Sequence, residues 1–369
     1  MRPSRTPLKL VMSFVLLVGA IVWSSPIKGV AQDTSDGAKR AGSGGVVGAT
    51  LPRPQRVAAL EYWTEERMRN AIPMEARVSG EAPDGDVSSD DAGGPPVSIR
   101  GRAPASARSF GGDEPEGRTV GDPEPVGYTY PFPFTRHGVD GKYTRYPYRT
   151  VGKIFFTQGG SNFVCSGASV VSSPNNAVYT AGHCVSDGAG AFSTNVVFSP
   201  ARKNSRNRYG LFPGGQLWTT SAWHFNGDLT RDFAAFAVGT NGAGNTLQSR
   251  VGTLGFQYNQ SRVQHWDTFG YPATGGFTGE TQITCKASHA VDDTGIPGGG
   301  PDPMGIGCDS TGGASGGPWI TMFLRGSFLN SVNSYKYPST QPGAMYGPYF
   351  DILANQVRCA AATGGSTTC

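Results

Sequence analysis

The chain has no cysteine before Cys165 and no Cys-x-x-Cys pair among its 369 residues. The first absence divides the sequence into two unlike parts, and the second removes a common zinc-site pattern. It has no long Lys/Arg run, and its formal charge is only +4. The basic stripe that a nucleic-acid partner requires is therefore missing. There is no calcium-loop spacing and no repeat at solenoid spacing. Histidine is scarce, at five residues, and none follows Ser315. The main apolar run, residues 10–23, is shorter than the ~20 residues of a spanning helix.

What is abundant is glycine and proline, 54 and 27 residues. Such a chain makes short strands and many turns, which favours an all-β fold. At the N-terminus, Arg2, Arg5 and Lys9 precede the apolar run, and Gly29-Val30-Ala31 offers small residues for cleavage after Ala31. Residues 1–31 read as a secretory signal peptide, the alternative being an uncleaved anchor. Export leads to an oxidising compartment, so the six cysteines are expected in disulfides.

Residues 32–125 form a distinct stretch, read as a pro-segment or linker. Its convincing helix lies within residues 52–74, where Thr64 is placed to cap a second turn by accepting a free amide. An isolated helix needs something to pack against. Residues 81–125 are rich in Pro, Gly, Asp and Ser and bury too little apolar surface to offset ordering entropy. Residues 126–369 are different. Aromatics become dense from Tyr128, and candidate strands fall at 151–156, 164–171, 177–180, 196–198, 233–238, 263–269, 282–288, 319–324 and 329–335. Residues 349–357 have helical spacing and read as a terminal helix.

The chemistry centres on Cys308-Asp309-Ser310-Thr311-Gly312-Gly313-Ala314-Ser315-Gly316-Gly317-Pro318. Glycines let a backbone take positive φ and approach a ligand closely. A serine held there can act as a nucleophile beside an amide-lined oxyanion hole. His183, in Thr180-Ala181-Gly182-His183-Cys184, follows a strand and is the candidate base. Asp232 opens an apolar strand and is the candidate orienting acid, with the loop residue Asp228 as its rival. The order His, Asp, Ser discriminates between folds. Gly313-Ala314-Ser315-Gly316-Gly317 also matches the Gly-x-Ser-x-Gly elbow of α/β-hydrolases, but those enzymes place their histidine after the serine.

On these motifs the chain resembles the trypsin/chymotrypsin-like serine peptidases, and most nearly the secreted bacterial V8-like (glutamyl endopeptidase) group. Val151-Gly152-Lys153-Ile154-Phe155-Phe156, Val164-Cys165-Ser166 and Gly270-Tyr271-Pro272 look like that group too. The resemblance covers residues 128–369. It implies two six-stranded antiparallel β-barrels with the site between them and a Ser-His-Asp triad of Ser315, His183 and Asp232. The amides of Gly313 and Ser315 are implied to line the oxyanion hole. It further implies a substrate pocket at Asp309, Ser310, Asn333, Ser334 and Tyr335. A carboxylate at the pocket base, Asp309, favours Arg or Lys, whereas the V8-like group holds glutamate with a histidine where this chain has Asn333. Family pattern and proximity imply the pairs Cys165–Cys184, Cys285–Cys308 and Cys359–Cys369.

In pancreatic-type members an aspartate before the serine pairs with a newly freed N-terminus. Ala314 stands there, so that switch is closed to this chain. Arg118, Arg136 and Arg149 are candidate cut sites for removing a pro-segment. The expectation is a secreted, monomeric serine endopeptidase that acts on polypeptides. It uses no cofactor and no metal, and it has no nucleic-acid partner and no membrane attachment after signal cleavage. The alternative is an inactive homologue that binds peptides or a partner.

Overall fold

In the computed structural model the described residues are 38–41, 45–83, 93–105, 132–174 and 176–369. The residues read as a signal peptide, 1–31, therefore lie outside them, as does much of the stretch expected to be weakly structured. No helix among the described residues is long and apolar enough to cross a membrane.

Six antiparallel strands close into a barrel. They are Val151–Gln158, Ser161–Val170, Asn176–Thr180, Ala234–Val238, Phe212–Thr220 and Thr194–Pro200, each paired with the next and the last with the first. Ile154, Phe156, Val178, Phe198 and Phe236 share its inner face. Branched and aromatic side chains fit a pleated, buried surface, which is why these segments take strand form.

The second sheet has eleven strands among the described residues. Its centre is Ile283–Asp292, flanked by His265–Gly270, Phe134–Gly138 and Met304–Gly307. Pro318–Thr321 pairs with both His265–Gly270 and Phe328–Val332. The strand expected over 319–324 ends at Thr321 because Met322 and Leu324 turn out with positive φ.

The terminal helix runs Ile352–Thr363, with Asp351 capping it through the Leu353 amide and Gly364 ending it in the left-handed region. Its small residues Ala354 and Ala361 and its Val357 join the barrel core, and Tyr179 Oη donates to the Ala354 carbonyl at 3.0 Å. The three disulfides are Cys165–Cys184, Cys285–Cys308 and Cys359–Cys369.

The N-terminal stretch contributes to both sheets. Val46–Thr50 adds an antiparallel strand to Phe212–Thr220, and Val97–Ile99 adds one to Gly255–Tyr258. Helices Arg53–Tyr62 and Glu65–Arg69 lie between, the second capped by Thr64 Oγ1 accepting from the Arg67 amide. They find their packing partner on the barrel. Ala59, Trp63 and Met68 bury against Phe155, Val164 and Val197. The described residues all fall within one compact unit.

Candidate active site

Strand register brings His183 and Asp232 together. Ala234 pairs with Thr180 across an antiparallel ladder, so the chain just past Thr180 lies beside the chain just before Ala234. His183 sits in the 3-10 turn Gly182–Cys184, and the Cys165–Cys184 disulfide fastens its neighbour to the adjacent strand. Asp232 follows a second 3-10 turn, Leu229–Arg231, and is fully buried. Its Oδ1 accepts from the His183 amide at 2.8 Å, and its Oδ2 lies 2.7 Å from His183 Nδ1. Oδ2 also accepts from Ser334 Oγ at 2.5 Å. A carboxylate so bonded fixes the ring orientation and leaves Nε2 without a bond to it.

Asp228 has a different task. Its Oδ1 accepts from the amide and hydroxyl of Thr230 and its Oδ2 from the Gly299 amide. It clamps a loop.

Ser315 comes from the second sheet. Pro318 pairs with Val332, which sets the loop before Pro318 beside the loop that carries Ser334. Gly313 and Gly316 have φ of +93° and +77°. A Cβ on Gly316 would fall 1.9 Å from Thr180 Oγ1, and one on Gly313 would fall 2.6 Å from the Tyr271 carbonyl. Only glycine fits either place. Ser166 ties the two sheets together here. Its amide donates to the Ser315 carbonyl at 2.7 Å and its hydroxyl to the Gly313 carbonyl at 2.8 Å.

The Ser315 hydroxyl does not donate to His183. It donates to the Met74 carbonyl at 3.0 Å, and the Gly313 amide donates to the same oxygen at 2.8 Å. His183 Nε2 is buried without a hydrogen-bond partner. Nothing in the sequence pointed to Met74, which lies 241 residues from Ser315.

The expected pocket residues separate. Asp309 lines an open cavity of about 350 Å³ together with Glu75, Thr274, Phe277, Thr311 and Lys336. Its carboxylate is taken by Arg136 Nη1 at 2.5 Å, both side chains being buried. The Asp309 carboxylate that lines the cavity is thus already paired with a cation. Asn333 is spent on structure, with Oδ1 accepting from Trp319 Nε1 and Nδ2 donating to the Ala314 and Phe269 carbonyls. Ser334 holds Asp232, and Tyr335 Oη donates to Asp293. Ser310 gives its carbonyl to Lys336 Nζ at 2.8 Å. None of these four lines the cavity. Lys336 does, and burial lowers its pKa to about 8 against the opposing pull of Asp309 and Glu75. A buried carboxylate calls for a cation, but Arg136 is 173 residues away from Asp309 and Lys336 carries no motif.

Two of the candidate cut sites are also corrected. Arg136 pairs with Cys285 inside a strand, and Arg149 is buried in the turn Tyr148–Thr150. Neither backbone is open to a protease in the folded chain. Arg118 lies outside the described residues. As for metals, the one group of close candidate ligands among the described residues is Cys165, His183 and Cys184. Its two sulfurs are bonded to each other, so the donor set does not fit a metal site.

No family model matches the chain. In structure it is similar to the protease Anisep from Arthrobacter nicotinovorans, at 38% identity and a TM-score of 0.54 over 58% of this chain and 95% of that one. It is similar also to AL20, a thermostable serine protease from an extremophilic microorganism, at 37% identity and a TM-score of 0.53 over 58% and 97%. In sequence, an extracellular metalloprotease of Bacillus subtilis (strain 168) is 31% identical over 121 residues, 32% of this chain and 36% of that protein. That match spans about a third of the relative's length.

Proposed function

The chain belongs to the trypsin/chymotrypsin-like serine proteases, and from that membership we propose that it hydrolyses polypeptides through Ser315, His183 and Asp232. His183 Nε2 takes the Ser315 proton as Oγ attacks the substrate carbonyl carbon. The developing oxyanion is held by the Gly313 and Ser315 amides. His183 then gives the proton to the leaving nitrogen, the peptide bond breaks, and an ester on Ser315 remains. Water, activated by the same imidazole, attacks the ester and frees the acid and the serine. Asp232, fixed by Ser334, orients His183 and stabilises its charged form.

The observation that carries this reading is a peptide carbonyl between nucleophile and amide. The Met74 oxygen takes one bond from Ser315 Oγ and one from the Gly313 amide. Oriented donors at that point stabilise developing negative charge. The signal-like N-terminus and three disulfides support action outside the cell.

The test is hydrolysis of a fluorogenic peptide library by the chain, by Ser315→Ala and by His183→Ala. Turnover abolished in both variants is the expected result. Turnover retained by Ser315→Ala would remove the assignment.

A further inference from the structure

Residues 72–78 cross the site, and their direction matters. Ile72 and Pro73 run parallel to Phe163 and Val164 of the barrel, and the Met74 amide donates to the Val164 carbonyl at 3.0 Å. Met74 then presents its carbonyl to Gly313 and Ser315. Ala76 and Arg77 run parallel to Tyr335 and Lys336 of the second sheet, and the Val78 amide donates to the Lys336 carbonyl at 2.9 Å. The chain enters on the barrel that carries His183 and leaves along the sheet that carries Ser315.

Direction decides whether the Met74–Glu75 bond can be cut. Attack at the Met74 carbonyl carbon would have to expel the Glu75 nitrogen, and that nitrogen must receive a proton from His183. His183 lies on the Val164 side, since Cys184 beside it is bonded to Cys165 beside Val164. Glu75 leads the other way, toward Tyr335. A peptide threaded in the opposite sense would place its leaving nitrogen on the side of His183.

We infer that residues 72–78 are a reverse-threaded inhibitory strap, a peptide ligand that fills the oxyanion site with the Met74 carbonyl and escapes cleavage because its leaving nitrogen faces away from His183. The inference rests on the reading of Ser315 as nucleophile and His183 as base. The strap is anchored on both flanks. Upstream, Trp63 and Met68 pack on Phe155 and Val164. Downstream, the Tyr335–Lys336 pairing holds it. Because it is part of the same chain, its binding is intramolecular and needs little intrinsic affinity. The parallel pairing uses main-chain groups, as in strand addition to a sheet edge.

The experiment compares labelling rates with a fluorophosphonate probe on the full chain, on the double variant Met74→Pro/Val78→Pro and on Ser315→Ala. The two prolines delete the amides that donate to Val164 and Lys336. The double variant should label at least tenfold faster than the unmodified chain, and Ser315→Ala not at all. Mass spectrometry of the unmodified chain should find Met74–Glu75 intact after long incubation. Val78→Pro alone, remote from Ser315, serves if the double variant does not fold, with an expected acceleration of a few-fold. Equal rates, with Ser315→Ala unlabelled, would overturn the strap and leave the nucleophile standing. Cleavage at Met74–Glu75 would overturn reverse threading. Absence of label in every form, or label on Ser315→Ala, would overturn the nucleophile and the strap with it.

Discussion

The two halves of the site are in different states. On the barrel side, His183 and Asp232 are joined by two hydrogen bonds, Ser334 completes the carboxylate, and a disulfide fastens the histidine turn. On the second-sheet side, the Ser315 hydroxyl and the Gly313 amide are both turned to a foreign carbonyl. The acid–base half is assembled and the nucleophile half is occupied. On the proposed reading, such a site is switched on by losing a ligand, with no need to build a new contact. This agrees with Ala314, which offers no carboxylate for an N-terminus to pair with.

The comparison can be broken from either side. Asp232→Asn puts an NH2 donor in place of the oxygen facing His183 Nδ1, which favours the wrong tautomer, and kcat should fall about 10⁴-fold whether or not the strap is in place. A loss seen only in the strapped form would mean that the barrel side is not complete. Gly313→Ala strikes the other half. It strains a positive-φ position against the Tyr271 carbonyl and displaces an oxyanion donor, so kcat should fall on the order of a hundredfold with KM little changed.

Asp309→Asn separates substrate preference from stability. It leaves the Arg136 guanidinium buried without its counter-charge, which costs about 3–5 kcal/mol of stability, read as a lowered urea midpoint. Relative rates after Arg, Lys and other residues should stay as they were, and a selective loss after Arg and Lys would restore the basic pocket.

The smallest effect is a pH slope. Burial lowers the Lys336 pKa from 10.5 to about 8, so between those values the unfolded chain binds the extra proton. Stability from this group therefore rises with pH from about 8 to 10.5 and is flat outside that window. Lys336→Met should remove a rise of at most roughly 3 kcal/mol, measured as the difference in urea unfolding between the two proteins across that range. Lys153, lowered by burial to about 8 as well, stays in both and cancels.

The barrel was legible where short apolar runs fall between turn residues, as in residues 151–156 and 177–180. Phe212–Thr220 escaped because Pro213, Gly214 and Gly215 interrupt it with turn residues, and Gln341–Gly347 hides behind Pro342 and Gly343. These segments gain strand form from the ladders beside them, a tertiary effect that propensity does not carry. At the site, the choice of Asp232 over Asp228 rested on its place at the start of a strand, and the register Ala234–Thr180 supplies the geometric reason. Position along the chain does not show which partners the side chains of Asn333, Ser334 and Tyr335 take. Their side chains are spent on Trp319, Asp232 and Asp293. Met74 was illegible because its contribution is a backbone carbonyl, which any residue has.

The most direct measurement is the address of the covalent adduct. The full chain carrying Met74→Pro/Val78→Pro, treated with a fluorophosphonate and digested, should yield one modified peptide, with the added mass on Ser315. Mass on any other residue, or equal incorporation when Ser315 is alanine, would contradict the account.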